Sequence, residues 1–321
     1  MNSIEKTRQL HDIIIDRLSP LLTDNYVLLD LPYHSNLGDT LIWQGELDFL
    51  RKLPYKCLYS TSCQGNVFMA EKFLRPETII LFHGGGNFGD IWPQPNDFRR
   101  EVIEMYPKQR YVVLPQTIYY TDVNNLKRDA DFYSHYPNVT ICARDVKSYD
   151  ILRKWFPNNP SLLVPDMVFC MNVKRREKSS QGALFIKRDD KEFSDVMNYS
   201  LVPKDAYVTD WIFLNESKPY RRTKDIVKWA SRFDCRLHTQ DWKHRAIDLY
   251  WHYILRPLNV KTAINLIDGY HGIYTTRMHA ALLSIILGKE DITLFDNNYG
   301  KSSSFYETWM SDVDGIKMIK T

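Results

Sequence analysis

The chain has 321 residues, of which 44% are hydrophobic and 25% are charged. This length favours two domains, and the composition is that of a globular protein without disordered or fibrous tracts. The 42 basic and 39 acidic residues give a net charge of +3, which argues against a nucleic-acid partner and predicts that any anion site is local.

The amino-terminal segment 1–18 is charged and amphipathic, and it lacks the apolar stretch and cleavage site of a signal peptide. The longest apolar run, 280–287, is far shorter than the ~20 residues that span a bilayer. We therefore expect a cytoplasmic protein without a membrane helix. The 5 cysteines show no CxxC pair and no spacing to histidine that suits a metal, so we predict reduced thiols and no metal site.

Short apolar runs alternate with segments of helical period, a pattern typical of β-α units around a parallel sheet. In the first half, strands are predicted at 26–31, 78–83, 111–114 and 140–143, and helices at 40–50, 97–106 and 146–156. In the second half, strands are predicted at 183–188, 206–211, 272–276 and 291–296, and helices at 223–233 and 278–287. The sequence thus predicts an α/β fold.

A polar and charged stretch without apolar period follows Cys170, and we place a domain boundary there. The prediction is an N-terminal α/β domain at 1–172, a linker at 173–181 and a C-terminal α/β domain at 182–321. The last helix is a candidate for packing back on the N-terminal domain. Because parallel sheets bind ligands beyond the carboxyl ends of their strands, we expect a site in a cleft between the two domains.

The segment LFHGGGNFGD, residues 81–90, has three successive glycines after an apolar strand. They either let backbone N–H groups approach a ligand or serve only the geometry of the turn. The spacing also matches G-x-G-x-x-G, but Pro93 and Pro95 interrupt the helix that a dinucleotide site needs, which argues against NAD. Five residues here are candidates for binding hydroxyl groups, such as those of a sugar: Gly84, Gly85, Gly86, Asn87 and Asp90.

A similar turn, NLGD at 36–39, lies between the first strand and the next helix. Asn36 and Asp39 can face a ligand there, because the carboxyl ends of parallel strands form the ligand side of a sheet. Asp39 or Thr40 can equally be the N-cap of the helix. Both interpretations stay open from the local sequence.

The segment TTRMHAALL places Arg277 and His279 between a strand and a helix, where free N–H groups and the helix dipole favour an anion. A guanidinium suits phosphate or carboxylate, and an imidazole can act as a general acid or base. On spacing alone, a histidine at a helix start is more often structural. Four other cations follow predicted strands and are either anion ligands or ordinary surface charges: Arg144, Lys187, Arg188 and Lys301.

Seven segments, taken in order, resemble the polysaccharide pyruvyl transferase family, and in particular its short bacterial members that act in exopolysaccharide biosynthesis. They are NLGD (36–39), HGGGNFGD (83–90), LPQTIYY (114–120), ARDVKSYD (143–150), LVPDM (163–167), TRMHAALLSIILGK (276–289) and DNNYGKSSSFYETWM (296–310). The resemblance covers most of the chain. It implies two Rossmann-like domains arranged as in GT-B glycosyltransferases, with the active site in the cleft between them.

The resemblance also implies a reaction, in which pyruvate passes from phosphoenolpyruvate to a sugar as a ketal and phosphate is released. It implies no cofactor, since phosphoenolpyruvate is a co-substrate. The family's R-[LM]-H segment corresponds to Arg277 and His279 as catalytic residues, although whether His279 is acid or base stays open. The donor-binding candidates are Arg144, Lys301, Arg188 and Lys187, and the acceptor-binding candidates are Asn36, Asp39, Gly84, Gly85, Gly86, Asn87 and Asp90.

The acceptor is expected to be a lipid-linked or nucleotide-linked sugar, and a lipid-linked one would bring the protein to the inner face of the membrane. Two alternatives stay open at this stage. One is a GT-B-type glycosyltransferase that uses a nucleotide-sugar donor, and the other is a non-catalytic carbohydrate-binding protein.

Overall fold

The computed structural model describes residues 1–174, 182–190, 192, 197–211 and 240–320, with only the backbone described for 240–243. The predicted helix at 223–233 and most of the predicted linker lie outside the described residues. The described strands pair in parallel and form two sheets with helices between them, so the predicted α/β class is confirmed.

The first sheet has 7 strands in the order β2-β1-β3-β5-β6-β7, with β4 paired to β5 off this path. Its strands are β1 (Tyr26–Leu29), β2 (Cys57–Ser60), β3 (Ile79–Phe82), β4 (Gly85–Gly89), β5 (Arg110–Tyr119), β6 (Val139–Ala143) and β7 (Ser161–Leu163). The second sheet has 5 strands in the order β12-β11-β10-β8-β9. Its strands are β8 (Ala183–Ile186), β9 (Tyr207–Thr209), β10 (Gly272–Thr275), β11 (Asp291–Phe295) and β12 (Ile316–Ile319).

The described α-helices are α1 (Ser3–Leu18), α2 (Leu37–Leu50), α3 (Pro93–Met105), α4 (Val123–Ser134), α5 (Val146–Trp155), α6 (Gln240–Tyr250), α7 (Arg256–Asp268), α8 (Met278–Ile286) and α9 (Lys301–Trp309). A π-helical turn, Trp251–Leu255, joins α6 to α7. Among the described residues, no helix combines the length and the apolar character that crossing a bilayer requires.

Helix caps decide where two of the helices begin. Asp145 caps α5 by accepting a hydrogen bond from the backbone N–H of Ser148 at 3.0 Å. Helix α2 begins three residues earlier than predicted, because Asn36 caps it through the N–H of Gly38 at 3.0 Å. The suggested caps at 39 and 40 are therefore wrong, and Asp39 lies in the first turn of the helix instead.

The glycine-rich segment differs from the predicted turn. Gly85–Gly89 form a strand, β4, which pairs with the second half of β5, where Gly85 lies opposite Gln116 and Gly89 opposite Tyr119. This pairing extends β5 to Tyr119, well beyond the predicted end at 114. Helix α3 also begins earlier than predicted, at Pro93. Proline is tolerated in the first turn of a helix, because backbone N–H groups there have no partner within the helix and none is lost.

The largest hydrophobic cluster runs between the two sheets and joins both halves of the chain. It contains Leu10 of α1, Trp43 of α2, Met167 after β7 and Leu282 of α8, all of them buried. A hydrogen bond at its edge also joins the two halves. Trp309 in α9 donates a hydrogen bond from its indole N–H to the carbonyl of Arg144 at 2.8 Å. The strand ends of the two sheets are thereby held close to each other.

Candidate active site

A cavity of about 500 Å³ opens where the carboxyl ends of β1 and β3 meet those of β8 and β10. Its walls come from segments that follow strands of both sheets. The carboxylates, histidines, lysine and arginines that line it are Asp30, Asp39, His34, His83, Arg188, Asp190, Glu192, Arg277 and Lys301. Cations and carboxylates thus share one pocket, and their pairing decides what the pocket can bind.

Arg144, His279 and Asp166 form a buried cluster next to this pocket. The Oδ2 atom of Asp166 lies 2.6 Å from Nη1 of Arg144 and 3.3 Å from Nε2 of His279. Burial by itself raises the pKa of Asp166, but His279 and Arg144 hold it well below its ordinary value, so the carboxylate is ionised. Asp166 was not among the predicted site residues, although it lies in the segment LVPDM.

The guanidinium of Arg144 keeps one nitrogen available. Its Nε donates to the hydroxyl of Thr117 at 2.8 Å and its Nη1 to Asp166, whereas its buried Nη2 has no hydrogen-bond partner within the described part of the chain. A Cβ atom placed on Gly86 would lie 3.1 Å from this Nη2 and 2.5 Å from Nζ of Lys301. The cationic groups of Arg144 and Lys301 therefore both lie close to Gly86, where the absence of a side chain leaves space for them.

The ammonium of Lys301 is only weakly compensated. Its Nζ lies 3.6 Å from Oε2 of Glu192. Burial and the neighbouring Arg144 and Arg188 lower the pKa of Lys301, with Glu192 opposing them. An anion bound beside Gly86 would relieve this repulsion between cations.

His279 packs against the first turn of α2. A Cβ atom on Gly38 would lie 2.6 Å from Nδ1 of the imidazole, so the glycine is what admits the ring. His279 itself is 7% exposed and lies behind the residues that line the cavity. The NLGD and R-M-H segments, which are far apart in sequence, thus meet in the structure.

Asp39 presents an ionised carboxylate to the pocket. Its Oδ2 accepts a hydrogen bond from Nδ2 of Asn36 at 2.8 Å and lies 3.6 Å from Nε2 of His34. Burial raises the pKa of Asp39, but His34 and His279 outweigh it and the pKa is lowered. Asn36 and Asp39 are therefore placed to accept and donate hydrogen bonds at the pocket wall.

Arg277 lines the pocket, but carboxylates of the protein occupy its guanidinium. Asp210 accepts from its Nε at 3.0 Å and from its Nη2 at 2.6 Å, while Asp190 accepts from its Nη1 at 2.6 Å. Arg188 is held in the same way, at 2.9 Å by Asp190 and at 2.8 Å by Glu192. Each of these two arginines thus has two carboxylate partners, whereas Arg144 is paired with Asp166 and keeps Nη2 without a partner among the described residues.

The remaining predicted residues divide between the pocket and other surroundings. Asn87 lines the pocket and accepts from Nη1 of the buried Arg99 at 2.9 Å. Asp90 is turned to the β5–α4 connection, where it accepts from the backbone N–H groups of Thr121 and Asp122 at 2.7 and 3.0 Å. The ammonium of Lys187 lies 5.3 Å from the ring centroid of Tyr199. Asp90 and Lys187 are not among the residues that line this cavity.

Sequence reasoning missed a buried histidine that lines the pocket, His83. His83 is 2% exposed, and its Nδ1 lies 2.8 Å from Oε2 of Glu46 in α2. The other oxygen of Glu46 accepts from the backbone N–H of Gly84 at 2.8 Å. The signal available was a histidine directly after an apolar strand, but its partner lies in a different helix.

The profile of the family described as polysaccharide pyruvyl transferase matches residues 36–294, which is most of the chain. The chain belongs to the polysaccharide pyruvyl transferase family. The match includes the segments around Asn36, Gly86, Arg144, Asp166 and His279 that converge at this pocket. The predicted family membership is confirmed, and with it the general class of a transferase.

Relatives within and beyond bacteria agree with this membership. The chain is 29% identical to EpsO of Bacillus subtilis (strain 168) over 296 residues, which cover 92% of this chain and 88% of EpsO. It is 27% identical to General stress protein 30 of the same organism, over 90% of this chain and 79% of that protein. It is 25% identical to Pyruvyl transferase 1 of Schizosaccharomyces pombe (strain 972 / ATCC 24843), over 91% of this chain and 72% of that protein.

A solved structure has a similar fold. The crystal structure of a functionally uncharacterized protein from Klebsiella pneumoniae aligns with a TM-score of 0.56, at 16% identity, over 100% of both chains. This similarity concerns the fold alone.

Proposed function

We propose that this pyruvyl transferase takes pyruvate from phosphoenolpyruvate and forms a ketal on a sugar during exopolysaccharide or capsule biosynthesis in the cytoplasm. The observation that carries the proposal is the convergence of Arg144 and Lys301 on Gly86, with Nη2 of Arg144 left without a partner among the described residues. Phosphoenolpyruvate carries a phosphate and a carboxylate on three carbons, so it needs fixed cations at one spot.

The reaction balances without a further reactant. C2 of phosphoenolpyruvate gains two bonds to sugar oxygens and loses its bond to the phosphate oxygen, while the electron pair of the C2=C3 double bond takes up a proton at C3. The two hydroxyl groups release two protons, of which one ends on C3 and the other on the departing phosphate. The enzyme must therefore manage protons on a donor side and on an acceptor side.

The donor side is assigned to His279, Arg144 and Lys301. His279 lies 3.4 Å from Nη1 of Arg144, so a donor held by Arg144 has the imidazole within reach for protonation of C3. Arg277, which precedes α8, positions this segment through Asp190 and Asp210. Arg188, which lines the pocket, and Lys187, which does not, are further donor-side candidates.

The acceptor side is assigned to the part of the pocket lined by residues after the strands of the first sheet, which contributes hydroxyl-binding groups. Asp90 fixes the chain beyond β5 and supports this wall from a distance. The groups proposed to bind the sugar are Asn36, Asp39 and Asn87, with the backbone of Gly84, Gly85 and Gly86.

We further propose the GT-B-like arrangement, with domains at 1–172 and 182–321 and the pocket as the cleft between them. This proposal is supported by the lining of the cavity. Each of the two parallel sheets contributes residues to it, and these residues follow the carboxyl ends of the strands. The contacts of α9 with α5 then bridge the two domains, for example through Ser304, whose hydroxyl donates to Asp145 at 2.7 Å.

The direct test is incubation of the protein with phosphoenolpyruvate and a panel of lipid-linked and nucleotide-linked sugars. We expect a product heavier by one pyruvate ketal in mass spectrometry, with one phosphate released for each ketal. A parallel arm supplies nucleotide sugars without phosphoenolpyruvate. Glycosyl transfer in that arm, with no ketal in the first, would overturn the proposal in favour of a glycosyltransferase.

The variant Gly86→Ala tests the donor site without removing a charge. The added methyl group would displace Lys301 and crowd Arg144, so we expect phosphoenolpyruvate to bind at least about tenfold more weakly, a loss of about 1.4 kcal/mol. Isothermal titration with phosphoenolpyruvate measures this. Unchanged affinity would show that the donor binds elsewhere.

We also propose that the protein binds peripherally to an anionic membrane surface through α6 and α7. Four apolar side chains are exposed on these helices and on the π-helical turn between them: Leu249, Tyr253, Ile254 and Leu258. The exposed cations Arg245 and Lys261 flank them, and the acid between them, Asp248, is buried. An apolar strip with cations at both ends suits an anionic lipid interface.

Flotation with phosphatidylglycerol vesicles tests this surface. The double variant Leu249→Ser/Tyr253→Ser is expected to bind the vesicles about tenfold more weakly or worse, since each side chain loses its apolar burial. Val123→Ser, at an exposed apolar residue of α4, is the matched control and should bind like the parent. Equal flotation of all three proteins, or none by the parent, would contradict the proposal.

A further inference from the structure

The pairing of His83 with Glu46 fixes the state of an imidazole at the pocket wall. A carboxylate can only accept, so the proton of the neutral ring lies on Nδ1, 2.8 Å from Oε2 of Glu46. The lone pair is then on Nε2, which is buried and has no hydrogen-bond partner in the part of the chain that the structure describes. An imidazole with its basic nitrogen unoccupied lines a pocket that is proposed to hold sugar hydroxyls.

A purely structural role accounts for only half of this arrangement. Glu46 holds Gly84 through one oxygen and His83 through the other, so the pair does stabilise the start of the glycine-rich segment. Yet leaving a buried polar nitrogen unpaired costs about 1–3 kcal/mol, and structural histidines ordinarily avoid this cost. A bound hydroxyl that donates to Nε2 would satisfy it.

His279 and His83 lie in different electrostatic surroundings, as expected if one donates a proton and the other accepts one. His279 is next to Arg144 and Asp166, on the side of the cations. The imidazole of His83 is instead paired with Glu46 and lies near a second carboxylate, Asp39. One imidazole cannot supply the proton for C3 and accept a hydroxyl proton in the same step, so two groups are needed.

We infer that His83, oriented by Glu46, is the general base that takes the proton from the attacking hydroxyl of the acceptor sugar. The inference rests on the proposed pyruvyl transfer and adds the residue that activates its acceptor. As the sugar oxygen bonds to C2, the electron pair of its O–H bond stays on that oxygen and the proton passes to Nε2. The imidazolium, stabilised by Glu46, later returns the proton to the phosphate oxygen that leaves C2, and the proton of the second hydroxyl replaces the one that His279 gave to C3.

The charges around His83 set the sign of the pH dependence. Burial lowers the pKa of His83, but Glu46 and Asp39, together with Asp30 after β1, outweigh this and raise it above its ordinary value. A base acts only when neutral, so activity through His83 is lost as the pH falls through this raised pKa. We expect kcat/KM to decline on the acid side at a pH above the ordinary histidine value of about 6.5.

The experiment compares His83→Ala, Glu46→Gln and the control His135→Ala, an exposed histidine after α4. We expect kcat/KM for ketal formation to fall about 10²–10⁴-fold in His83→Ala while phosphoenolpyruvate affinity is retained, and the acid limb of the pH profile to disappear. Added imidazole should restore part of the turnover of His83→Ala. Glu46→Gln should also lose turnover, since its amide can donate to Nδ1 and shift the ring proton to Nε2.

The outcomes separate this inference from the proposed function. If the parent binds no phosphoenolpyruvate and makes no ketal, the proposed function itself is wrong. If the parent transfers pyruvate and His83→Ala does so at a similar rate with an unchanged acid limb, the base is another group. A third outcome is that folded His83→Ala loses turnover, that imidazole does not restore it, and that Glu46→Gln has normal turnover. This outcome would also contradict the role assigned to His83 and Glu46.

Discussion

Replacing Gly89 with alanine is expected to destabilise the folded protein by about 2–4 kcal/mol. Gly89 ends β4 with φ of 139°, in a region that side chains avoid, and its missing Cβ would lie 1.8 Å from the backbone oxygen of Tyr119 in β5. Neither strand can yield without breaking the pairing that places Gly85 opposite Gln116. Chemical denaturation, followed by fluorescence, measures the free energy of unfolding.

Gly269→Ala provides the control, since it is the same exchange at a site with room. Gly269 follows α7 with an ordinary backbone conformation, and a Cβ there would have its nearest contact at 3.5 Å. We expect its free energy of unfolding to stay within about 0.5 kcal/mol of the parent. If Gly89→Ala were as stable as this control, the pairing of β4 with β5 would be wrong.

Replacing His279 with alanine is expected to lower turnover by about 10²–10⁴-fold while the fold survives. The imidazole is proposed to protonate C3 of phosphoenolpyruvate, and it is the side chain that packs against Gly38. The fold should persist because Asp166 keeps its ion pair with Arg144 at 2.6 Å when the imidazole is gone. Phosphate release from phosphoenolpyruvate in the presence of acceptor measures the rate.

His271→Ala is the matched control for this prediction, because His271 is exposed and lies before β10 in the same half of the chain. It should retain the turnover and the thermal midpoint of the parent. Near-normal turnover of His279→Ala would show that the donor proton comes from another group. A loss of folding, detected by circular dichroism, would instead mean that the buried cluster needs the imidazole for stability.

The sequence by itself determined the class of fold and where the functional segments lie along the chain. Apolar runs and helical periods are local properties, and they predict α5 and α8 to within one residue at each end. In parallel β-α units, residues that follow strands share the ligand side of the sheet, which is why Asp39, Arg188 and Lys301 could be chosen in advance. The order of the seven segments was enough to identify the family.

Only the tertiary structure decided which of these residues act together. His83 meets Glu46 from another element, and Asp166 lies between Arg144 and His279, because strand pairing and helix packing bring distant segments within hydrogen-bond distance. The tertiary structure also decided which predicted cations are already paired within the protein. Asp210 and Asp190 neutralise Arg277, although nothing in the local sequence marks them as its partners. Charge pairing depends on distances of a few ångströms between segments far apart in the chain, and periodicity carries no information about those distances.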